Sequence, residues 1–217
     1  KIYKIEHVTL KNNADWALGI VTGDNKRYLS NNKTETNEPI FTGKDIKKFT
    51  AITATNYIDF NKDKFQQVAP EYKYRVKEKL LYKFISKELV FAYDNQQTLS
   101  LNSANILIPQ IKNYPIKTIL ALLNSSLYQF IYQKKFGAIK ILRSDIEQLP
   151  IPLLTEQEHA EIEKMIQLLT TPNQNIEIKK TIFTELDNFI MDIFRLEESE
   201  KIYIKKSIKV SENLLNN

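Results

Sequence analysis

Two prolines separated by one residue divide the sequence into parts of different character. They lie in the segment 149–152, Leu-Pro-Ile-Pro. Because proline disfavours the helical conformation in the residue before it, this segment is predicted to be a stiff, extended connector. Before it, apolar residues come in short runs that end at turn-forming residues, whereas after it they recur at helical spacing. We therefore predict an α+β fold, with a mixed, strand-rich domain over residues 1–154 and a C-terminal helical arm over residues 155–217.

The first 110 residues predict short strands joined by tight turns. An apolar run ends at the turn Gly23-Asp24-Asn25, and Pro39-Ile40-Phe41 leads into a second turn at residues 42–45. Glycine, asparagine and aspartate end strands because they favour the backbone angles of turns. The predicted strands cover residues 16–22, 56–60, 89–93 and 99–109.

Two helices are predicted before the proline segment. Pro70 suits the first turn of a helix that continues through Leu80, since Tyr72, Val76 and Leu80 would share one face. Residues 116–136 keep a helical period of apolar side chains throughout, and Gly137 can end that helix in the left-handed conformation.

The sequence pattern of the arm predicts a helical hairpin. Thr155 and Glu158 have the spacing of a capping box, and two apolar stripes at helical spacing follow, separated at Pro172. A further helical segment is predicted over residues 202–214. The first stripe consists of Ile162, Ile166 and Leu169, and the second of Ile182, Leu186, Phe189, Ile193 and Leu196.

The net charge of +5 hides an uneven distribution. Residues 1–144 hold 23 Lys and Arg against 12 Asp and Glu, a balance of +11, whereas residues 145–200 hold 4 against 13, a balance of −9. No acidic residue lies between Asp94 and Asp145. A long acid-free stretch can lie against a polyanion without local repulsion, so the pattern predicts nucleic-acid binding. Biased composition would explain the abundant lysine but not the missing acids.

The sequence shows no evident catalytic machinery. The absence of cysteine excludes thiolate catalysis and cysteine-ligated metal sites. The four glycines form neither a dinucleotide loop nor a phosphate loop. No two prolines are adjacent, which excludes the Asn/Asp-Pro-Pro-aromatic segment with which amino-methyltransferases hold a flipped base. We expect this chain to hold no cofactor and no metal, and not to be catalytic by itself.

The longest purely apolar run is residues 119–123, far short of the roughly 20 residues that span a bilayer. No basic-then-apolar leader opens the sequence. We therefore expect a cytoplasmic protein without a membrane partner.

Several segments, in order and spacing, resemble the TaqI-like C-terminal specificity domain of adenine methyltransferases and single-chain restriction–modification enzymes. Residues 18–26 and 39–46 resemble its first two turns, and residues 79–94 resemble the part that follows. The segment 122–152 is the most specific, since it contains Leu-Leu-Asn-Ser and ends in Asp-Ile-Glu-Gln-Leu-Pro-Ile-Pro. With the Glu156-Gln157 helix start behind it, this segment is also similar to the specificity subunits of type I restriction systems.

The resemblance implies a target recognition domain that reads a short sequence in duplex DNA beside a methyltransferase domain in cis or in trans. Methyl transfer, with S-adenosylmethionine as cofactor, and any cleavage would belong to domains outside this chain, as in type II restriction–modification enzymes. A stand-alone specificity subunit is one alternative. Another is a protein-interaction module that uses the acidic arm, with the basic face incidental.

The candidate DNA contacts lie in the two family turns and in the acid-free stretch. Arg27 and Arg143 are candidate guanine readers, because the fork of arginine spans two acceptors, whereas lysines suit phosphates and amides match adenine. Ion pairing is the alternative for both arginines, and helix-dipole compensation is the alternative for Lys134 and Lys135. Asp24 departs from the family pattern, because a carboxylate there would face phosphates. The full set is Asn25, Lys26, Arg27, Lys44, Lys47, Lys48, Asn95, Gln96, Gln97, Lys134, Lys135, Lys140 and Arg143.

Overall fold

The strand-forming segments build two mixed sheets and a two-stranded ribbon in the computed structural model, which describes residues 1–50 and 53–208. The predicted α+β fold is confirmed. The strands are β1 (His7–Val8), β2 (Ala14–Ala17), β3 (Leu29–Ser30), β4 (Glu38–Phe41), β5 (Phe49–Thr50), β6 (Asn56–Ile58), β7 (Lys79–Lys83), β8 (Phe91–Asp94), β9 (Leu99–Ser100), β10 (Ala104–Pro109) and β11 (Ile151–Pro152).

The larger sheet has five strands in the order β2-β10-β7-β8-β5 and is the middle layer of the fold. Side chains alternate between its two faces, as the two-residue period of a strand requires. Leu80 and Tyr82 join one buried cluster with the helices, whereas Leu81 joins the other cluster, which includes residues of the four-stranded sheet. That smaller sheet has the order β3-β6-β4-β9. The fold therefore has three layers, with helices on one side of the central sheet and the small sheet on the other.

Eight α-helices occur in the described ranges, together with two short 3-10 turns. The turns are Ile2–Lys4 and Lys62–Lys64. The helices are α1 (Asn25–Tyr28), α2 (Tyr72–Arg75), α3 (Ile116–Asn124), α4 (Ser126–Lys135), α5 (Arg143–Ile146), α6 (Glu156–Thr170), α7 (Ile176–Ile193) and α8 (Glu198–Ser207).

The helix predicted over residues 116–136 is two helices, because the chain turns extended at Ser125. The side chain of Asn124 accepts from the backbone N–H of Phe91 and donates to its carbonyl, both at 2.9 Å. The hydroxyl of Ser125 then accepts from the backbone N–H of Tyr128 and caps the new helix. Gly137 follows the end of α4 with a φ of +62°, as predicted.

The helix predicted from Pro70 through Leu80 ends at Arg75, and Leu80 lies in β7. Two basic side chains of this segment make internal contacts. Lys79 is fully buried, pairs with Asp94 and donates to the carbonyl of Tyr74 at 2.8 Å. The guanidinium of Arg75 forms a bidentate salt bridge with the carboxylate of Glu38.

The arm begins as predicted and packs on the rest of the molecule. Thr155 and Glu158 form the capping box of α6. Ile162, Ile166 and Leu186 are buried in the same cluster as residues of α3, α4 and the central sheet. The predicted segment 202–214 is helical as far as Ser207, and its residues 209–214 lie outside the described ranges. Residues before and after Leu154 share one hydrophobic core. The division into a DNA-reading domain and a helical arm therefore stays a prediction about function.

Replacing Asn124 with alanine is expected to destabilise the fold. The change leaves the buried N–H and carbonyl of Phe91 without their partner, which costs about 1–3 kcal/mol for each group. The measurement is the free energy of unfolding in urea. Asn102→Ala is the matched control, since that amide is exposed and its loss is expected to stay within about 0.5 kcal/mol. Equal effects of the two substitutions would contradict this account of the helix break.

Candidate nucleic-acid interface

A cleft of about 680 Å³ opens where β4 and β7 end and β10 begins. The antiparallel pairing of Ala104 with Lys83 and the parallel pairing of Phe41 with Ser100 bring these strand ends together. The residues that line the cleft are Asn25, Leu29, Thr42, Gly43, Lys44, Asn56, Lys83, Phe84, Ile85, Leu101, Asn102 and Ser103.

The turn at residues 101–103 forms a fixed part of the cleft wall. Its backbone bonds to both neighbouring segments, since Leu101 N–H donates to Phe41 at 2.8 Å and Asn102 N–H donates to Ile20 at 3.1 Å. Two glycines allow this close approach. A Cβ at Gly19 would lie 2.1 Å from the carbonyl oxygen of Leu101, and a Cβ at Gly43 would lie 2.7 Å from that of Ser103.

Two lysines line this cleft, and two more lie beside it. Lys44 and Lys83 line it, and Lys140 pairs through its backbone with the lining residue Ile85. Burial and the positive charge of nearby Lys47 lower the pKa of Lys83, against the opposing charge of Glu88. In residues 1–50 and 53–208, none of these four ammonium groups has a carboxylate within 4.0 Å. The arrangement leaves positive charge available to an anion.

The carboxylate next to this lysine group faces inward. Asp45 is buried, and its Oδ2 accepts from the backbone N–H and the hydroxyl of Thr42 at 2.6 and 2.9 Å. These bonds fix the second family turn in the form that presents Lys44 to solvent. The buried acid therefore shapes the turn and forms no ion pair with Lys44.

The first family turn is a short helix beside the cleft. Asp24 caps α1 by accepting from the backbone N–H of Arg27 at 3.2 Å, which gives this carboxylate a structural role. Asn25 lines the cleft, with its Oδ1 accepting from the hydroxyl of Thr22. Lys26 and Arg27 are exposed on the same turn. The predicted residues of this turn thus lie at the cleft or next to it.

Arg143 lies at a neighbouring pocket of about 270 Å³ that shares Phe84 with the cleft. Its guanidinium lies 5.7 Å from the ring centroid of Trp16 and is paired through Nε with Glu147 at 2.7 Å. The ion pair considered as the alternative reading is therefore present. Because it uses Nε, the two terminal nitrogens stay outside that bond.

Two predicted groups lie away from the cleft. Asn95, Gln96 and Gln97 follow β8 at the end of the sheet where β7 begins, about 13 Å from Lys83 at ~3.3 Å per residue. Lys134 and Lys135 end α4, where their ammonium groups lie 5.7 Å from the ring centroid of Phe130 and 5.2 Å from that of Tyr3. A role for either group in DNA contact stays a prediction.

The predicted phosphate contact at Lys48 is wrong, because its side chain is buried. The residue is 2% exposed, and its ammonium group donates to the carbonyl of Asn124 at 3.1 Å. It also lies 3.8 Å from Glu88 and over the ring of Phe183. Burial lowers the pKa of Lys48, and the charges of Glu88 and Asp187 oppose this shift.

Sequence reasoning missed one lysine and two amides that line the cleft, Lys83, Asn56 and Asn102. Lys83 is the last residue of β7, and Asn56 is the first residue of β6. Polar residues are common at strand ends, so nothing in the sequence pattern marked these two as binding residues. Asn102 fell inside a predicted continuous strand, whereas the structure has a turn between β9 and β10. The one sequence feature that could have indicated Asn102 as a DNA contact is its position in the acid-free stretch.

Lys48→Ala is expected to lower stability and leave DNA contact unchanged. Removing this buried cation takes away a positive charge close to the carboxylates of Glu88 and Asp187 and a donor to the carbonyl of Asn124, which costs about 3–5 kcal/mol. The exposed Lys44→Ala is the control, expected to change the free energy of unfolding by less than about 0.5 kcal/mol. Urea unfolding, followed through the single tryptophan, measures both. Unchanged stability with a smaller salt dependence of duplex binding would put Lys48 at a phosphate.

Across residues 1–50 and 53–208, no cluster of three or more His, Cys, Asp or Glu side chains could hold a metal ion. No helix in those ranges is both long enough and apolar enough to cross a membrane.

Comparison with known proteins matches this fold to DNA restriction systems. The model of the TaqI-like C-terminal specificity domain matches residues 38–151. No curated protein sequence matches the chain. The type IIL restriction–modification enzyme MmeI in complex with DNA has a TM-score of 0.65 at 10% identity, covering 97% of this chain and 37% of that chain. A chain of a type I R-M system has a TM-score of 0.51 at 15% identity, covering 93% and 45%. The HsdS subunit from Thermoanaerobacter tengcongensis scores 0.45 at 13% identity, covering 97% and 41%.

The family match covers more than half of the chain, so the chain belongs to the TaqI-like C-terminal specificity domain family. It is a specificity domain of restriction–modification systems, and the resemblance seen in the sequence is confirmed. The chain spans less than half the length of the solved structures it matches.

Proposed function

We propose that this chain recognises a short sequence in duplex DNA as the specificity domain of a restriction–modification adenine methyltransferase. The observation that carries the proposal is a cleft lined by Lys44 and Lys83, with Lys47 and Lys140 beside it, in a member of a specificity-domain family. Phosphates give most of the affinity of a protein for DNA, because each contact releases condensed counterions. Lysines without ion pairs can bind phosphate without first breaking an internal bond.

Base reading needs polar side chains inside such a basic frame, since phosphate contacts position the duplex and carry no direct sequence information. The cleft supplies three amides, Asn25, Asn56 and Asn102. Arg27 and Arg143 stand beside it and remain our candidates for guanine. Lys26 is proposed as a further phosphate contact on the first turn.

The helical arm serves this function as a spacer. It packs on the face of the central sheet opposite the small sheet that helps to line the cleft. With a charge balance of −9 over residues 145–200, it is unsuited to follow the DNA backbone. We assign it the contact with a methyltransferase domain in cis or in trans, which would hold the cleft at a set distance from the base to be modified.

Methyl transfer, with S-adenosylmethionine as cofactor, belongs in this proposal to a domain outside the 217 residues, in a cytoplasmic type II enzyme. A stand-alone specificity subunit is the second candidate, and the similarity to a chain of a type I R-M system favours it. Whether a methyltransferase domain belongs to the same polypeptide or to a separate subunit separates the two.

Changing Lys44 and Lys140 together to alanine is expected to weaken binding to all duplex sequences. Each lost phosphate contact lowers the slope of log affinity against log salt by about 0.9, so the pair should lower it by about 1.8. The measurement is fluorescence anisotropy of a labelled duplex at several salt concentrations.

The matched control is Lys11→Ala with Lys112→Ala. Both residues are exposed, and both lie near the opposite end of the central sheet, where β2 begins and β10 ends. The control removes the same charge and should leave the slope unchanged. Equal losses in the two double variants would reduce the cleft to a part of a general basic surface. A wild-type chain with no salt-dependent duplex binding would favour the protein-interaction module.

The purified chain is expected to transfer no methyl group from S-adenosylmethionine to a duplex that it binds. The assay follows the labelled methyl group into DNA, with an intact adenine methyltransferase as positive control. Transfer by the chain alone would place catalysis within it and contradict the assignment of the chemistry to another domain.

A further inference from the structure

We propose that Asn102 is a base-reading residue of this cleft and that it selects adenine at one position of the recognised sequence. The inference rests on the proposed function and deepens it. It is carried by the fixed turn that displays Asn102 and by the unengaged state of its side-chain amide.

The turn at residues 101–103 is held from both sides. The two closest approaches, at Gly19 and Gly43, leave no room for a Cβ on either flanking turn. Further bonds join the turn to its surroundings: Gly43 N–H donates to the hydroxyl of Ser103 at 2.9 Å, and Phe84 N–H donates to the carbonyl of Ser103 at 3.2 Å. A side chain on such a turn is positioned before the DNA arrives, so binding costs little ordering entropy.

The three amides of the cleft differ in what they can still bind. The Oδ1 of Asn25 accepts from Thr22, and the Nδ2 of Asn56 donates to Thr55 at 3.1 Å. The exposed side chain of Asn102 has no hydrogen bond among residues 1–50 and 53–208. Asn102 therefore keeps both an acceptor and a donor for a ligand.

A side chain with one donor and one acceptor side by side matches the major-groove edge of adenine. Adenine presents the N6 amino group as donor and N7 as acceptor, whereas guanine presents two acceptors there. The neighbouring positive charges of Lys44 and Lys83 would hold the backbone of the same duplex. The chemistry thus favours adenine over the other bases opposite Asn102.

The test is selection of bound duplexes from a random-sequence pool by the 217-residue chain. The wild type should enrich sites in which one position is adenine, preferred by roughly 5- to 150-fold, as one bidentate pair provides. Asn102→Ala should lose the preference at that position alone and keep the salt slope. Asn102→Asp should change the position to cytosine, because a carboxylate accepts from the N4 amino group.

Gln110→Ala is the matched control, since it removes an exposed amide just after β10 ends, at the other end of the central sheet. It should leave every position unchanged. Retention of the full wild-type preference by Asn102→Ala, or duplex binding without any preferred base in the wild type, would overturn the assignment of Asn102 while the proposed function stands. Absence of duplex binding by the wild type would overturn the proposed function itself.

Discussion

The amide of Asn124 and the groups around it join the central sheet, the helices packed on it and the arm. The side chain of Asn124 bonds to the backbone N–H and carbonyl of Phe91 in the central sheet. The backbone carbonyl of Asn124 accepts from the ammonium group of Lys48. Two residues later α4 begins, and Asp187 of the arm accepts from the first N–H of that helix, at Ser126, at 2.7 Å. A carboxylate at a helix N-terminus is favoured by the helix dipole. Because these buried groups satisfy one another, sheet, helices and arm fix one another's positions.

The junction around Asn124 also keeps the acidic and the basic parts of the molecule apart. It holds the acidic arm on the helical face of the central sheet, while the lysine-lined cleft opens at the end of that sheet and against the small sheet beyond it. The sequence shows the same separation, as +11 over residues 1–144 and −9 over residues 145–200. Folding turns a separation along the chain into a separation in space. A polyanion approaching the cleft would therefore meet positive charge on a molecule whose net charge is only +5.

Local patterns predicted most elements, and the failures have a common cause. Turns, caps and apolar periods depend on neighbouring residues, so the capping box at Thr155 and the turn before Lys44 could be predicted. The break at Ser125 depends on Phe91, which is distant in the sequence, and the apolar period continues through it. Lys44, Lys47 and Lys48 lie within one five-residue segment, so the sequence around them does not separate them. Only the tertiary packing, with Phe183 of α7 over its ammonium group, shows that Lys48 is buried. Candidate contacts could thus be chosen by residue type, but their grouping required the register of the strands.

The construction of the cleft separates what holds the site from what would read DNA. The turn at 101–103 is fixed by backbone bonds to Ile20 and Phe41 and by close approach to Gly19 and Gly43, and none of these contacts uses the side chain of Asn102. A substitution at that position changes the hydrogen-bonding groups on display while the turn itself is retained. The glycines, by contrast, cannot be replaced without moving backbone. In a specificity domain, this arrangement would let the recognised base change with one side chain while the frame stays constant, because the stability of the site and its chemistry reside in different atoms.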